Sequence, residues 1–285
     1  MKPQDRTERT SCHADTRFAQ FADGLAEAVQ RIGDDGFPAA LDDAIRCLVP
    51  FDNSMVFAYA PRKQPIGVCT DLASDSETAI IVDAYILGPY LLDPFYEEVR
   101  RGRRAGLAHL GDIAPDEFTE TEYFERHYRR TRITDEVGFF MGLSDDVTAV
   151  LSITRRHGGK GFSPAEIATL RDISGVVCAL GLRHWSDLPL RFLDAGAQPH
   201  GIAAGPVEEA LRHLRRDTLS DRQAEIVEFL LKGHSTASIA LHLDISAETV
   251  KVHRRNAYAK LGISSQAELF SIFIEQLSSM IGVRG

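Results

Sequence analysis

Lys251, Arg254, Arg255 and Lys260 place four cations close together in a chain that is acidic overall, with 32 Lys and Arg against 41 Asp and Glu and a net charge of -9. No acid stands between Glu248 and Glu268. Ammonium and guanidinium groups bind phosphate oxygens, and an arginine that enters a groove can also read a base edge. If the stretch is helical, its period turns Lys251, Val252, Arg255 and Ala259 outward together, while Val250, Ala257 and Leu261 face a core. The candidate DNA-contacting residues are therefore Thr249, Lys251, Val252, Arg254, Arg255 and Lys260. Because four cations on one helix are more often a plain solvated face, the reading depends on the elements that hold this one.

Leu219 to Leu269 supplies those elements. Ser220 and Gln223 have the spacing of a capping box, which predicts a helix from Asp221. Ile226, Val227, Leu230 and Leu231 line one face of it, and Gly233 is the left-handed residue that stops it. Ser235 caps a second helix carrying Ile239, Ala240 and Leu243. Asp244, Ile245 and Ser246 then make a turn whose last residue caps a third helix, Ala247 to about Leu261. Two helices joined in this way form a helix-turn-helix. A last helix, from Ser265 to Ile281, carries Leu269, Phe273, Leu277 and Met280 on one apolar stripe. Phe270, Ile274 and Ile281 form a second stripe that a small domain cannot also bury, and this is the candidate homodimer interface.

Leu219, Ser220, Arg222, Glu225, Gly233, Ile239-Ala240, Ser246, Thr249-Val250-Lys251, His253 and Lys260-Leu261 resemble, in order and spacing, the C-terminal DNA-binding domain of LuxR-type regulators. Gln223 stands where that family usually has Glu, and either side chain closes the box. The resemblance implies that Lys251, Val252 and Arg255 approach the major groove of double-stranded DNA. It also implies pairing through the last helix, so the operator is expected to be an inverted repeat. RNA polymerase is a further candidate partner.

With 285 residues the chain can hold two domains. Residues 1–17 are polar and expected to be a disordered tail; they lack the apolar core of a secretory signal. Residues 18–185 are expected to be an α+β sensing and dimerisation domain, 186–216 a linker punctuated by Pro and Gly, and 217–285 an all-α four-helix DNA-binding domain. No apolar run is long enough for a membrane helix. Cys12, Cys47, Cys69 and Cys178 are scattered without metal-ligand spacing, so no metal and no cofactor is expected, and a reduced cytoplasmic protein fits. No hydrolase or protease motif and no phosphate loop is present, which argues against an enzyme.

In the front domain, helical spacing from Phe18 to Leu48 predicts two helices. Asn53–Ala60 reads as a strand, and Ser76–Leu92 as a helix ended by Asp93-Pro94. Val137–Leu143 and Val147–Thr154 read as strands joined by a hairpin turn at Ser144-Asp145-Asp146. Ser163 and Glu166 box the start of a helix that runs toward Trp185. This order predicts an α/β/α sandwich on an antiparallel sheet. Leu92-Asp93-Pro94 and Tyr123-Phe124 followed by Gly138 resemble the autoinducer-binding domain of quorum-sensing regulators, whose aspartate accepts a hydrogen bond from the amide of an acyl-homoserine lactone. The tryptophans of that pocket are missing: Ile80 stands at one position and Leu110 near the other. Asp93 is carried over as a ligand residue, with Tyr59 and Tyr85 from the span between Tyr59 and Tyr128 that holds six of the seven tyrosines. Those rings equally suit a filled core. Three functions stay open: a transcription factor sensing an unidentified small molecule or dimer state, a lactone receptor, or a heterodimerising modulator that does not read DNA.

Overall fold

The computed structural model describes the backbone of residues 4–61, 63–70, 84–86, 88–156, 159–194 and 218–281, and the side chains of the same residues except 4–15, 69, 70, 84, 193, 194 and 277–281. Helices α1 (Gln4–Gln30) and α2 (Phe37–Leu48) precede strands β1 (Asn53–Tyr59) and β2 (Ile66–Thr70). Short turns at Ala84–Ile86 and Pro89–Leu92 lead into α3 (Pro94–Arg100) and β3 (Ala105–His109). Single turns at Leu110–Ile113, Phe118–Glu120 and Phe124–Arg129 follow. The hairpin of β4 (Ile133–Gly142) and β5 (Thr148–Arg156) comes next, and α4 (Pro164–His184) and α5 (Leu188–Asp194) complete the front domain. Four helices form the rest: α6 (Asp221–Lys232), α7 (Thr236–Leu243), α8 (Ala247–Leu261) and α9 (Gln266–Ile281).

All five strands pair antiparallel in the order β2-β1-β5-β4-β3. Because side chains alternate along a strand, the sheet has two unlike faces. Val56, Ala58, Val137, Phe139, Met141, Ala149, Leu151 and Ile153 share one core with Phe21, Leu41, Ile45, Leu170 and Val177 of α1, α2 and α4. Each Val, Leu, Ile, Phe or Met among them contributes roughly 1.5–3 kcal/mol by burial. On the other face Met55, Phe57, Tyr59, Phe140 and Val150 pack beneath residues 85–128, and the same apolar cluster continues into Ile226, Leu230, Val250 and Phe273 of the C-terminal helices.

The antiparallel sandwich, the hairpin, the two leading helices and the caps at Ser163, Ser220, Ser235 and Ser246 agree with the sequence reading. Several details differ. Helix α1 begins at Gln4, inside the segment expected to be a disordered tail. Edge strands β2 and β3 were not expected: the segment Ala105–His109 (AGLAH) has little strand propensity of its own and is extended because it pairs with β4. Asp93 does not simply end a helix; its side chain caps the start of α3, accepting from Phe95 N–H. The helix expected over Ser76–Leu92 is interrupted at Gly88, with φ at 147°, and residues 76–83 and 87 of it lie outside the described residues. Within the stretch assigned to the linker, α5 buries Leu188 and Phe192 in the front-domain core, while the helix expected at 207–216 also lies outside the described residues.

Candidate DNA interface and sensor site

Val250 and Ala257 bury one side of α8 against α6 and α7, which fixes what the opposite side presents. Lys251, Val252 and Arg255 are exposed along it, with Val252 36% accessible despite its apolar side chain. Lys251 Nζ lies 3.5 Å from Glu248, a loose surface pair that a phosphate could replace. Arg254 is half-buried and acts on Glu117 of the front domain, whose carboxyl is pushed up by burial and by Glu120 and Asp116 against the pull of that guanidinium. Thr249 bonds Ser246 Oγ at 2.8 Å and so supports the cap, and Lys260 donates to Gln223 Oε1 at 3.0 Å. Lys251, Val252 and Arg255 thus form the open face; Arg254, Thr249 and Lys260 stand at its edges with partners inside the chain.

The second site lies on the other face of the sheet. Tyr59 and Tyr85 hydroxyls are 2.6 Å apart, and Tyr85 donates to Asp93 Oδ2, also at 2.6 Å. The three predicted ligand residues are therefore one buried chain of hydrogen bonds. Burial pushes the Asp93 carboxyl up to about 6, against the pull of its bonds from Tyr85 and Phe95. Sequence reasoning missed the partner acid. Glu136 is buried on β4, accepts from Tyr128 Oη at 2.8 Å, and is pushed up to about 8 by burial and by the charge of Asp93. The expected strand began at Val137; β4 begins at Ile133 and so puts Glu136 in alternation with Gly138 and Phe140, on the inner face. His127 stacks on Tyr123, and burial holds its pKa down at about 4, so it is neutral. The Tyr90 hydroxyl is buried with no hydrogen-bond partner, and the Tyr123 hydroxyl lies beside Asp93 without forming a regular bond. Gly138 lets the Phe95 ring of α3 lie flat on β4; a Cβ there would be 2.7 Å from the ring.

The two sites meet through α3. Glu97, one turn beyond the Asp93 cap, is bonded by Lys232 at the end of α6 at 3.0 Å. Burial opposes ionisation of Glu97, but Lys232 and Arg100 outweigh it and hold the carboxyl below its ordinary range. Glu117 N–H donates to the Gly233 carbonyl at 2.9 Å, and Ser235 N–H donates to Asp116 Oδ1 at 2.9 Å. Asp93, Glu97, Lys232, His234, Leu241 and His242 border a cleft of about 440 Å³ between the domains. Phe270, expected on a free dimerisation stripe, is 3% exposed and lies under the Arg126 guanidinium at 5.0 Å. Ile274 is half-buried against the same cluster, and the side chain of Ile281 lies outside the described residues. The face expected to be open is covered within one chain because the tyrosine-bearing side of the front domain also needs an apolar neighbour.

A basic helix held outward by a helix-turn-helix, joined to an α/β/α domain with a buried polar cluster, defines a two-domain DNA-binding regulator. The family of bacterial regulatory proteins named for luxR matches residues 217–273. An HTH-type transcriptional regulator of the exeN 3′ region in Aeromonas salmonicida is 31% identical over 186 residues, covering 65% of this chain and 94% of that protein. The response regulator protein TodT of Pseudomonas putida is 41% identical over 56 residues, 20% of this chain and 25% of TodT, so it speaks for the helix-turn-helix alone. Among solved structures, the VqsR LBD domain of Pseudomonas aeruginosa aligns with 58% of this chain and 96% of its own length, at 27% identity and a TM-score of 0.52. The chain belongs to the LuxR family of transcriptional regulators, a family of DNA-binding proteins rather than enzymes, and its front domain is built like a ligand-binding domain. Among the described residues no helix is long and apolar enough to cross a membrane.

Proposed function

We propose that this chain is a transcription factor whose affinity for an inverted-repeat operator is set by a small molecule held in the front domain. The observation that carries this reading is α3: its N-cap, Asp93, belongs to the buried polar cluster, and Glu97, one turn on, is bonded to Lys232 of the DNA-binding domain. A ligand that alters how Asp93 is satisfied shifts the start of a two-turn helix, and with it the seat of α6. Lys251, Val252 and Arg255 read the major groove, while Arg254 and Lys260 steady the phosphate backbone. Two copies bind together, paired through α9, which requires Arg126 to leave the Phe270 ring.

Selection of duplexes from a random pool by the full chain tests the DNA half of this reading. The expected product is a palindrome with half-sites about one helical turn apart. On that duplex Arg255→Ala should lose roughly 1–3 kcal/mol and relax the preference at one base position. Recovery of no preferred sequence, or an Arg255→Ala protein with unchanged affinity and preference, would overturn it.

A further inference from the structure

The buried acids of the front domain are treated in two ways. Asp42, between α2 and the apolar face of the sheet, accepts from Ser54 and has the Arg46 guanidinium 3.9 Å away. Among the described residues, a cation thus answers the one fully buried carboxylate on that side. Asp93 and Glu136, on the opposite face, have only neutral partners: Tyr85 and Phe95 N–H for one, Tyr128 and Ser152 for the other. Among the described residues no Lys or Arg pairs with either, and no Lys or Arg is buried at all. The neighbouring His127 is kept neutral by burial. Close by, the Tyr90 hydroxyl is buried without a partner, its ring against Tyr85 and Tyr96. An unpaired buried hydroxyl costs roughly 1–3 kcal/mol, and an uncompensated buried carboxylate costs more.

What this cluster lacks is a cation and hydrogen-bond donors: with only neutral partners around it Glu136 keeps a proton, and a cationic guest would take that proton's place. An anionic ligand would add negative charge beside two acids. A neutral amide would bring one donor and leave the charge uncompensated. An ammonium group brings up to three donors and a charge at once, and tyrosine ring faces attract it through their quadrupoles. The Tyr85 and Tyr90 ring centroids stand 6.1 Å apart, so the rings must spread to admit any guest, and a compact head group asks least of them. We infer that the front domain takes a cationic ligand, a protonated amine or ammonium head group seated between Asp93, Glu136 and the rings of Tyr85, Tyr90 and Tyr123. This rests on the small-molecule reading proposed above and narrows it to a chemical class.

Thermal-shift and calorimetric titrations of the full chain with four probes test it: 2-phenylethylamine, 2-phenylethanol, 3-phenylpropionate and N-hexanoyl-homoserine lactone. The first three share a ring and differ in charge. The amine should stabilise the protein and bind roughly tenfold or more tightly than the alcohol, and the carboxylate should have no effect. Asp93→Asn, which keeps a capping side chain for α3, and Glu136→Gln, which keeps the shape, should each fold and should each shrink the preference of the amine over the alcohol. Stabilisation by the lactone or the carboxylate with no response to the amine would overturn the cation assignment and leave a small-molecule sensor in place. Equal binding of amine and alcohol, or an unchanged preference in both variants, would also overturn it. No stabilisation by any probe, with operator affinity unmoved by all four, would count against both the cation and the sensor reading.

Discussion

The two faces of one sheet do different work. The face toward α1, α2 and α4 is aliphatic and aromatic, and Asp42, its one buried acid among the described residues, is answered by Ser54 and Arg46. The face toward α3 carries tyrosines, two acids without cations and a hydroxyl without a partner, and its apolar cluster runs on into the helix-turn-helix. Closing every polar group stabilises a fold and leaves nothing for a ligand to change. The second face leaves polar groups incomplete, and does so where the DNA-binding domain is attached. Strain and unsatisfied groups persist at positions that other parts of the structure hold in place; here α1, α2 and α4 supply that support.

Substitutions on the two faces should therefore separate stability from response. The largest loss is expected at Phe139, fully buried on the aliphatic face: Phe139→Ala should cost roughly 3–5 kcal/mol in urea unfolding and leave the ratio of amine to alcohol binding unchanged. A changed ratio would blur the distinction between the faces. Next comes Gly233, with φ at 91° and a site where a Cβ would stand 2.8 Å from the Phe118 Cα. Gly233→Ala should cost roughly 1–3 kcal/mol and prise the domains apart, seen as a larger radius in small-angle scattering. An unchanged radius would mean that the junction tolerates the methyl group.

Glu136 gives a pH test. Its folded pKa is raised to about 8, above the ordinary glutamate value of 4.5, so the folded state holds a proton that the unfolded chain releases. The stability this group supports is full below the unfolded value and is lost as pH rises through that window. Relative to the parent, Glu136→Gln should therefore gain stability steadily between about pH 5 and about pH 8. A constant gap between the two melting curves would place the Glu136 proton elsewhere. The smallest effect is expected for Lys232→Met, about 1 kcal/mol for a partly exposed pair. The folded pKa of Glu97 is lowered, so that contribution is present at neutral pH and should disappear as pH falls below the ordinary glutamate range. A loss that persists in acid would point to packing rather than to the ion pair.

Much of the helix-turn-helix was readable because its signals are local: Ser220 with Gln223, Ser235, Ser246 and Gly233 each fix an end within one turn of the chain. In the front domain the strong local patterns carried through: the two leading helices, strand β1, the hairpin and the Ser163 box. Strand β3 depends on its partner β4, and the role of Glu136 depends on where β4 begins, neither of which a short window contains. Asp93 was readable as a site residue through family resemblance and Tyr85 as part of an aromatic-rich span, but the bond between them belongs to the fold. The covering of Phe270 by Arg126 joins residues far apart in sequence, and a second apolar stripe on α9 could not say which neighbour would take it.

The claim that only the tyrosine-bearing face speaks to DNA can be tested by one anisotropy titration of a single operator duplex with three full-length proteins: parent, Glu97→Gln and Leu151→Ala. Glu97 lies on α3 at the junction, and Leu151 is buried on the aliphatic face. Glu97→Gln should shift the operator Kd by roughly fivefold or more, a coupling of the usual size for linked sites, at little cost in stability. Leu151→Ala should lose roughly 2–5 kcal/mol of stability while its folded fraction binds with the parent Kd. An unchanged Kd for Glu97→Gln, or an equal shift for Leu151→Ala, would contradict it.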